Sequence, residues 1–223
     1  MSVKVVYVQL SRGRMKLINP SFEIISKLDG EEILRHCEIA VRNCYKSEDK
    51  IGDDSHTRVI KTVVDSHHYS TLEHSVISIR VICSRACMSQ WTRHRHLSYS
   101  IESQRYCNYT KGKFNNEISF IKPANYYNLT TEQKFLLDES FKQCEANYLK
   151  LVYAGFKAQD ARQVLNNAVK TEMVITGNLR AWREFLKLRT EPHAQDEIRF
   201  LSIGLLNEFK KNIPIVFDSI NPQ

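Results

Sequence analysis

The chain has 223 residues, 42% of them hydrophobic, which is enough to bury a substantial core and excludes a disordered protein. It carries 32 Lys and Arg against 25 Asp and Glu, a formal net charge of +7, so we expect an anionic partner. No run approaches the roughly 18 consecutive apolar residues of a membrane span and the N-terminal residues lack a signal-peptide pattern, so we expect a cytoplasmic protein.

The first part of the chain shows both strand and helix periodicity. Apolar residues three and four apart predict helical faces, and alternating β-branched residues predict a half-buried strand. The predicted elements are a strand over Val3–Leu10, a loop through Gly13, Asn19 and Pro20, helices over Glu31–Tyr45 and Thr57–Ser66, a strand over Ser75–Ser84 and a helix over Arg85–His94.

Beyond a loop-rich middle the pattern is mainly helical, and a long amphipathic stripe predicts the longest helix. No Gly/Pro/Ser-rich boundary divides the chain, so residues 1–223 are expected to form one α+β domain, with helices flanking a mostly antiparallel sheet. The predicted elements are a long helix that Thr130 or Thr131 caps and that reaches about Tyr153, a helix over Lys157–Leu165, a strand over Lys170–Thr176 with a turn following at Gly177, and helices over Leu179–Leu188 and His193–Lys211.

Cysteine and glycine spacing excludes several kinds of site. The seven glycines form neither Gly-x-Gly-x-x-Gly nor a Walker-type loop, so a nucleotide site of the Rossmann or P-loop type is not encoded. The cysteines form no Cys-x-x-Cys pair, and we expect buried reduced thiols. They are Cys37, Cys44, Cys83, Cys87, Cys107 and Cys144.

The densest polar stretch runs from Arg93 to Tyr106. If the preceding helix continues to His94, Arg93 and Arg95 lie about 200° apart and address different ligands. If the chain is extended over Ile101–Arg105, Ser103 and Arg105 lie on the same side. A hydroxyl and a guanidinium together suit a phosphate monoester.

The same stretch resembles a known family. Arg93-His94-Arg95, followed after seven residues by Ser103, is similar to the Arg-His-Arg-x7-Ser signature of flavin-dependent thymidylate synthases, and the similarity continues through Tyr106. Further blocks that resemble the family appear in the same order along the chain. They are His68, Ser70 and Leu72-Glu73-His74, then Ala161-Arg162 with Val164-Leu165, then Gly177-Asn178-Leu179-Arg180-Ala181, then Leu188-Arg189 with His193-Ala194.

The resemblance implies an activity and its partners. The expected reaction is methylation of dUMP at C5, with 5,10-methylenetetrahydrofolate as carbon donor and FAD, reduced by NADPH, as hydride carrier. The family implies a homotetramer with active sites between subunits. It also implies a cation beside the uracil ring, where an opposite charge favours the ionised form.

By position, the resemblance assigns site residues. Arg189 is expected to contact the uracil and His68 to lie near the flavin and folate. The residues implied to bind dUMP are Gln90, Arg93, Ser103, Gln104, Arg105, Arg162 and Arg189, and those implied to bind FAD are Ser70, Arg93, His94, Arg95, Asn178 and Arg180.

The chain departs from the family pattern at three places. Ser100-Ile101 stands where Asn-Glu is common, Asn166 where Pro is common, and Glu184 where a neutral or basic residue often contacts FAD. Glu102 would point to the opposite face of an extended segment, so it is not an automatic substitute for the missing carboxylate.

Other interpretations of single residues and of the net charge stay open beside the family resemblance. Ser103 is expected to orient a phosphate or the backbone rather than act as a nucleophile, and Trp91 is expected to pack in the core. A basic nucleic-acid-binding protein is the alternative function that the net charge suggests. A metal-dependent hydrolase is disfavoured, because the histidines lack zinc-site spacing, and no metal is expected.

Overall fold

The computed structural model describes residues 15–222, which group into two compact units. The first unit comprises residues 15–20, 83–86 and 102–171, and the second comprises residues 21–82, 87–101 and 172–222. The strands are β1 (Lys16–Ile18), β2 (Ser21–Ile24), β3 (Val76–Ser84), β4 (Ser98–Ile101), β5 (Ser119–Ile121) and β6 (Lys170–Asn178). The helices are α1 (Gly30–Tyr45), α2 (Ser55–Asp65), α3 (Arg85–Trp91), α4 (Thr131–Tyr153), α5 (Ala158–Ala161), α6 (Leu179–Arg189), α7 (Asp196–Asn212) and α8 (Pro214–Phe217).

The second unit is built on a four-stranded sheet in the order β2-β3-β6-β4. β2 is antiparallel to β3, and β4 is antiparallel to β6. Every second side chain of β3 and β6 is buried, among them Ile77, Ile79, Met173 and Ile175, which is the period of strands with one covered face. The α+β class and the mostly antiparallel sheet are therefore confirmed.

Helices of the second unit bury one face each. In α1 the buried residues include Leu34, Cys37 and Val41, as the helical spacing predicts. The Asp29 side chain caps this helix by accepting a hydrogen bond from the Glu32 amide at 3.1 Å. α1 packs against α2, and α6 packs against α7.

The first unit contains a parallel pair, β1 with β5, and the long helix α4. The Phe120 ring of β5 stacks on Phe141 of α4 at 4.6 Å between ring centroids. Thr130 and Gln133 form a reciprocal capping box at the start of α4, so this end of the helix is well defined. The predicted long helix is confirmed, and of the two caps that the sequence allows the structure has Thr130.

Several predicted boundaries are wrong for physical reasons. Part of the loop predicted after residue 10 is the strand β1, whereas the strand predicted over Val3–Leu10 lies outside the described residues and stays a prediction. The helix predicted to reach His94 ends at Trp91, because the Trp91 carbonyl accepts bonds from the His94 amide and the Tyr99 hydroxyl. The helix predicted over Lys157–Leu165 is the short α5 followed by a 3₁₀ turn.

Gly177 does not form the predicted turn but continues β6. A Cβ at this position would lie 2.2 Å from Leu97 Cδ2 and 3.3 Å from Trp182 Nε1, so glycine permits close packing of the strand. The segment predicted to be extended over Ile101–Arg105 instead turns, since the Tyr106 and Cys107 amides both donate to the Ser103 carbonyl.

The six cysteines are free thiols, as predicted. Four are buried, whereas Cys44 is exposed and Cys107 is half-buried, so the prediction of buried thiols is wrong for Cys44. Within residues 15–222, no helix combines the length and the apolar character that crossing a membrane requires.

Candidate active site

Arg189 ends α6 in the second unit, and its guanidinium is held by two other predicted site residues. Its Nε donates to His94 Nε2 at 2.8 Å, its Nη1 donates to the Gln90 side-chain oxygen at 3.2 Å, and its Nη2 donates to the Gln90 carbonyl at 3.1 Å. Three sequence-predicted residues thus converge, although 95 residues separate His94 from Arg189 in the chain.

The His94 imidazole is neutral in this arrangement. Its Nε2 accepts a hydrogen bond from a cation, so the ring proton is on Nδ1. Burial, with a smaller contribution from the Arg189 charge, lowers the pKa of His94 to about 4. The ring also meets Phe185 edge-on at 4.7 Å between centroids, which fixes its plane.

Tyr99 holds the turn that carries Arg93, His94 and Arg95 through hydrogen bonds. The sequence patterns did not single out this tyrosine. The Tyr99 hydroxyl donates to the carbonyls of Trp91 and His94, and burial raises its pKa. Because the helix ends at Trp91, the expected helical angle between Arg93 and Arg95 does not apply. Both side chains are exposed.

Trp91 is buried and stacks on Phe185, with ring centroids 4.3 Å apart. The prediction that this tryptophan packs in the core is confirmed. Its ring supports the same Phe185 side chain that the His94 imidazole contacts.

The predicted flavin residues at the other end of α6 lie at the surface of the second unit. The Asn178 side chain caps the helix by accepting from the Ala181 amide at 2.8 Å. Arg180 donates to the Glu73 carboxylate at 2.6 Å, so Glu73 pairs with a side chain rather than with local backbone. Ser70 is exposed on the 3₁₀ segment Tyr69–His74, and His68 is exposed directly before it.

Arg183 of α6 contacts the 3₁₀ segment Tyr69–His74 and holds it against the helix. The sequence patterns did not identify this arginine. It is only 4% exposed, and its guanidinium lies 4.8 Å from the centroid of the Tyr69 ring. It also donates to the Tyr69 hydroxyl and to Ser219 Oγ. No local sequence signal identifies such a contact, because 114 residues separate Tyr69 from Arg183.

The remaining predicted residues belong to the first unit. Ser103 and Arg105 are exposed, Gln104 is buried beside the Tyr109 hydroxyl, and Ser103 Oγ accepts from the Arg105 amide at 3.3 Å. Arg162 is exposed on the 3₁₀ turn after α5, and its Nε donates to the Gln159 carbonyl. No bond joins Arg162 to the other three within the described part of this unit.

The three departures from the family pattern have distinct settings. Ile101 is half-buried at the end of β4, opposite Met173. The Asn166 side chain accepts from the Ala168 amide and closes a turn, which a proline side chain would not do. Glu184 is exposed on α6.

Comparison with known proteins identifies the family. Residues 23–215 match the family model Thy1, described as thymidylate synthase complementing protein. The chain belongs to this family. It is 34% identical over 221 residues to the flavin-dependent thymidylate synthase of Mycobacterium tuberculosis strain H37Rv, an alignment that covers 94% of this chain and 88% of that protein.

A further relative and a solved structure are also similar to this chain. The chain is 35% identical over 197 residues to the probable flavin-dependent thymidylate synthase of Mycobacterium phage D29, covering 82% of this chain and 81% of that protein. The crystal structure of the UMP/dUMP methylase PolB from Streptomyces cacaoi, bound with 5-Br dUMP, has the same fold, with a TM-score of 0.73 at 21% identity. That match covers 92% of this chain and 96% of the methylase chain.

Proposed function

We propose that this Thy1 protein is a flavin-dependent thymidylate synthase that methylates dUMP at C5, with 5,10-methylenetetrahydrofolate as carbon donor and NADPH as reductant. The family match and the relatives' names support the activity. The observation that carries it in this chain is the convergence of Gln90 and His94 on Arg189, since His94 and Arg189 belong to separate family blocks and the resemblance assigns Gln90 to the same site.

Arg189 supplies the charge that the reaction needs at the uracil ring. Arginine carries five N–H donors, and the contacts to His94 and Gln90 use three of them, which leaves two to face a ligand. A fixed cation beside the uracil stabilises negative charge on the ring, so electron density rises at C5. His94 is neutral and adds no competing positive charge next to Arg189.

The exposed cations and hydroxyls of the second unit fit a flavin dinucleotide. Guanidiniums bind pyrophosphate oxygens well, and Arg93, Arg95 and Arg180 are exposed. Ser70, Asn178 and His94 complete the proposed set, with His68 near the flavin and folate. When bound, FAD supplies the electrons that amino-acid side chains cannot.

The proposed dUMP residues of the first unit match a phosphorylated ligand. Ser103, Arg105 and Arg162 offer one hydroxyl and two exposed guanidiniums, which suit a phosphate monoester. Gln104 is proposed to contribute from its buried position beside Tyr109, and Arg93 and Gln90 are proposed to contact the nucleotide as well.

The proposal also covers the domain organisation, the assembly and the cellular location of the protein. The chain acts as one domain over residues 1–223, which the family match over residues 23–215 supports. It assembles as a homotetramer with active sites between subunits, and it works in the cytoplasm on small-molecule substrates. The nucleic-acid alternative loses its main support, because the family accounts for an anionic ligand.

A turnover experiment tests the activity. Purified protein is mixed without air with FAD, dUMP, methylenetetrahydrofolate and NADPH, and thymidylate is measured by chromatography. We expect yellow protein and thymidylate that depends on each added substrate. Colourless protein without product, together with binding to DNA or RNA that weakens steeply with salt, would favour the nucleic-acid alternative.

A further inference from the structure

We propose that Glu102 is a positioning residue for the turn that carries Ser103, Gln104 and Arg105. The inference rests on the proposed function, in which these three residues bind dUMP. Glu102 lies within the first unit at the entry to the turn and is not among the residues that the family resemblance assigns to a ligand.

Local hydrogen bonds shape the main chain of the turn. The amides of Tyr106 and Cys107 donate to the Ser103 carbonyl at 3.1 and 2.8 Å, and the Arg105 amide donates to Ser103 Oγ. These bonds define the shape of the turn but do not attach it to the rest of the unit. The orientation of Ser103 and Arg105 therefore depends on what holds the neighbouring residues.

Glu102 attaches the turn to three separate parts of the unit. Its main-chain carbonyl accepts from Arg85 Nη2 at 3.1 Å. Its carboxylate accepts from Lys170 Nζ at 2.7 Å and from the Tyr109 hydroxyl at 3.4 Å. Because the backbone and the side chain are both held, the direction in which the chain enters Ser103 is fixed.

Tyr109 makes this attachment rigid. It is 3% exposed, and its ring meets Phe114 and Tyr148 edge-on at 5.1 and 5.3 Å between centroids. Gln104 lies beside the same Tyr109 hydroxyl that Glu102 accepts from. The tyrosine thus links the residue before the turn with a proposed dUMP residue inside it.

The pair of Glu102 with Lys170 is shielded enough for its charge to matter. The Glu102 side chain is 10% exposed and that of Lys170 is 19% exposed, beside a cavity of about 160 Å³ that Lys113 and Glu117 also line. Removing one partner of such a pair leaves the other charge poorly solvated. At position 101, where the family often has a glutamate, this chain has Ile101. The carboxylate of Glu102, one residue later, pairs with Lys170.

Variants of this pair separate positioning from chemistry. In Glu102→Gln holoenzyme we expect the Kd for dUMP, from equilibrium dialysis, and its KM to rise about tenfold, with kcat within about twofold of wild type. The charge-swapped double variant Glu102→Lys with Lys170→Glu is expected to recover most of the affinity. Glu139→Gln, which breaks an exposed ion pair with Lys142, is the matched control and is expected to change neither constant.

Hydrogen exchange supplies a readout that does not need turnover. The amides of Tyr106 and Cys107 are expected to exchange faster in Glu102→Gln and at the wild-type rate in Glu139→Gln. Should Glu102→Gln fail to fold, Tyr109→Phe removes only the hydroxyl and is expected to weaken dUMP binding in the same direction. Unchanged binding in that variant would overturn the inference.

Failure of the inference is distinct from failure of the proposed function. Wild-type protein that neither binds dUMP nor forms thymidylate overturns the proposed function and this inference with it. Wild-type protein that does both, while Glu102→Gln binds dUMP as tightly as Glu139→Gln does, overturns the inference alone.

Discussion

The protein's own side chains and backbone orient Arg189. Its three bonds to His94 and Gln90 hold the planar guanidinium in one direction, and a lysine could not reproduce that geometry because its ammonium is a point charge. An oriented charge needs little rearrangement as the reaction proceeds, which is the main source of electrostatic catalysis.

Arg189→Ala is expected to keep its flavin colour and to lose turnover by a factor of about 10² or more, because the charge that we propose for the uracil ring is removed. Steady-state thymidylate formation and the flavin absorbance measure the two effects. Lys187→Ala, an exposed cation on the same helix, serves as the control and should behave as wild type. Normal turnover by Arg189→Ala would contradict the role.

His94 makes the protein less stable in mild acid. Its pKa in the folded protein is about 4, below the ordinary value of 6.5, so the unfolded chain binds the proton first as pH falls. Stability from the neutral imidazole is complete above about pH 6.5 and is lost as pH falls towards 4.

Urea unfolding at several pH values checks this expectation. Between pH 7 and 4 the free energy of unfolding of His94→Gln should fall less than that of wild type, because the glutamine does not titrate. His36→Gln, at an exposed position on α1, should keep the wild-type dependence. Equal pH dependence in wild type and His94→Gln would show that the imidazole is not held neutral.

At the scale of elements, the close approach of the start of α1 to the end of α7 depends on one glycine. Gly30 begins α1, and a Cβ at this position would lie 1.8 Å from the Asn212 carbonyl oxygen at the end of α7. The obstacle is backbone, which cannot move aside as a side chain can. The helix ends must separate if residue 30 carries a side chain.

Gly30→Ala is therefore expected to destabilise the protein by about 2 kcal/mol, in the range typical of overpacking. Gly52→Ala is the control, since nothing lies within 4 Å of a Cβ there, and its effect should stay within about 0.5 kcal/mol. Denaturant titration of both variants gives the comparison. Equal stabilities would mean that α1 and α7 do not approach this closely.

At the scale of the whole molecule, exposed apolar side chains bear on how copies of the chain assemble. The family resemblance implies four subunits, and large apolar side chains such as Phe135 and Leu136 on α4 are 61% and 58% exposed. Exposed apolar groups of this size are common at subunit interfaces. The surface of a single chain is thus compatible with a larger assembly.

Sedimentation equilibrium is expected to give the mass of four 26.0 kDa chains at micromolar concentration. Dilution should lower thymidylate formation per chain once the tetramer dissociates, because the proposed active sites lie between subunits. A monomer with full specific activity at every concentration would contradict the proposed assembly.

Sequence patterns alone predict the elements whose signal is local. The helices α1, α2, α4 and α6 follow from apolar spacing and the strand β3 from alternation, because neighbouring residues settle those patterns. The order of the family blocks along the sequence likewise predicts the activity. The helix and strand patterns, and the motif inside each family block, depend on residues a few positions apart.

Contacts between distant residues become visible in the folded chain and not in its sequence. The end of α3 at Trp91 depends on a hydroxyl eight residues later, and the close packing at Gly177 depends on Leu97 and Trp182. Arg189 meets His94 and Gln90, and Glu102 meets Lys170, because the folded backbone brings together side chains that no spacing rule relates. Such pairs show no periodicity in the sequence, because the path of the whole folded chain sets the number of residues between them.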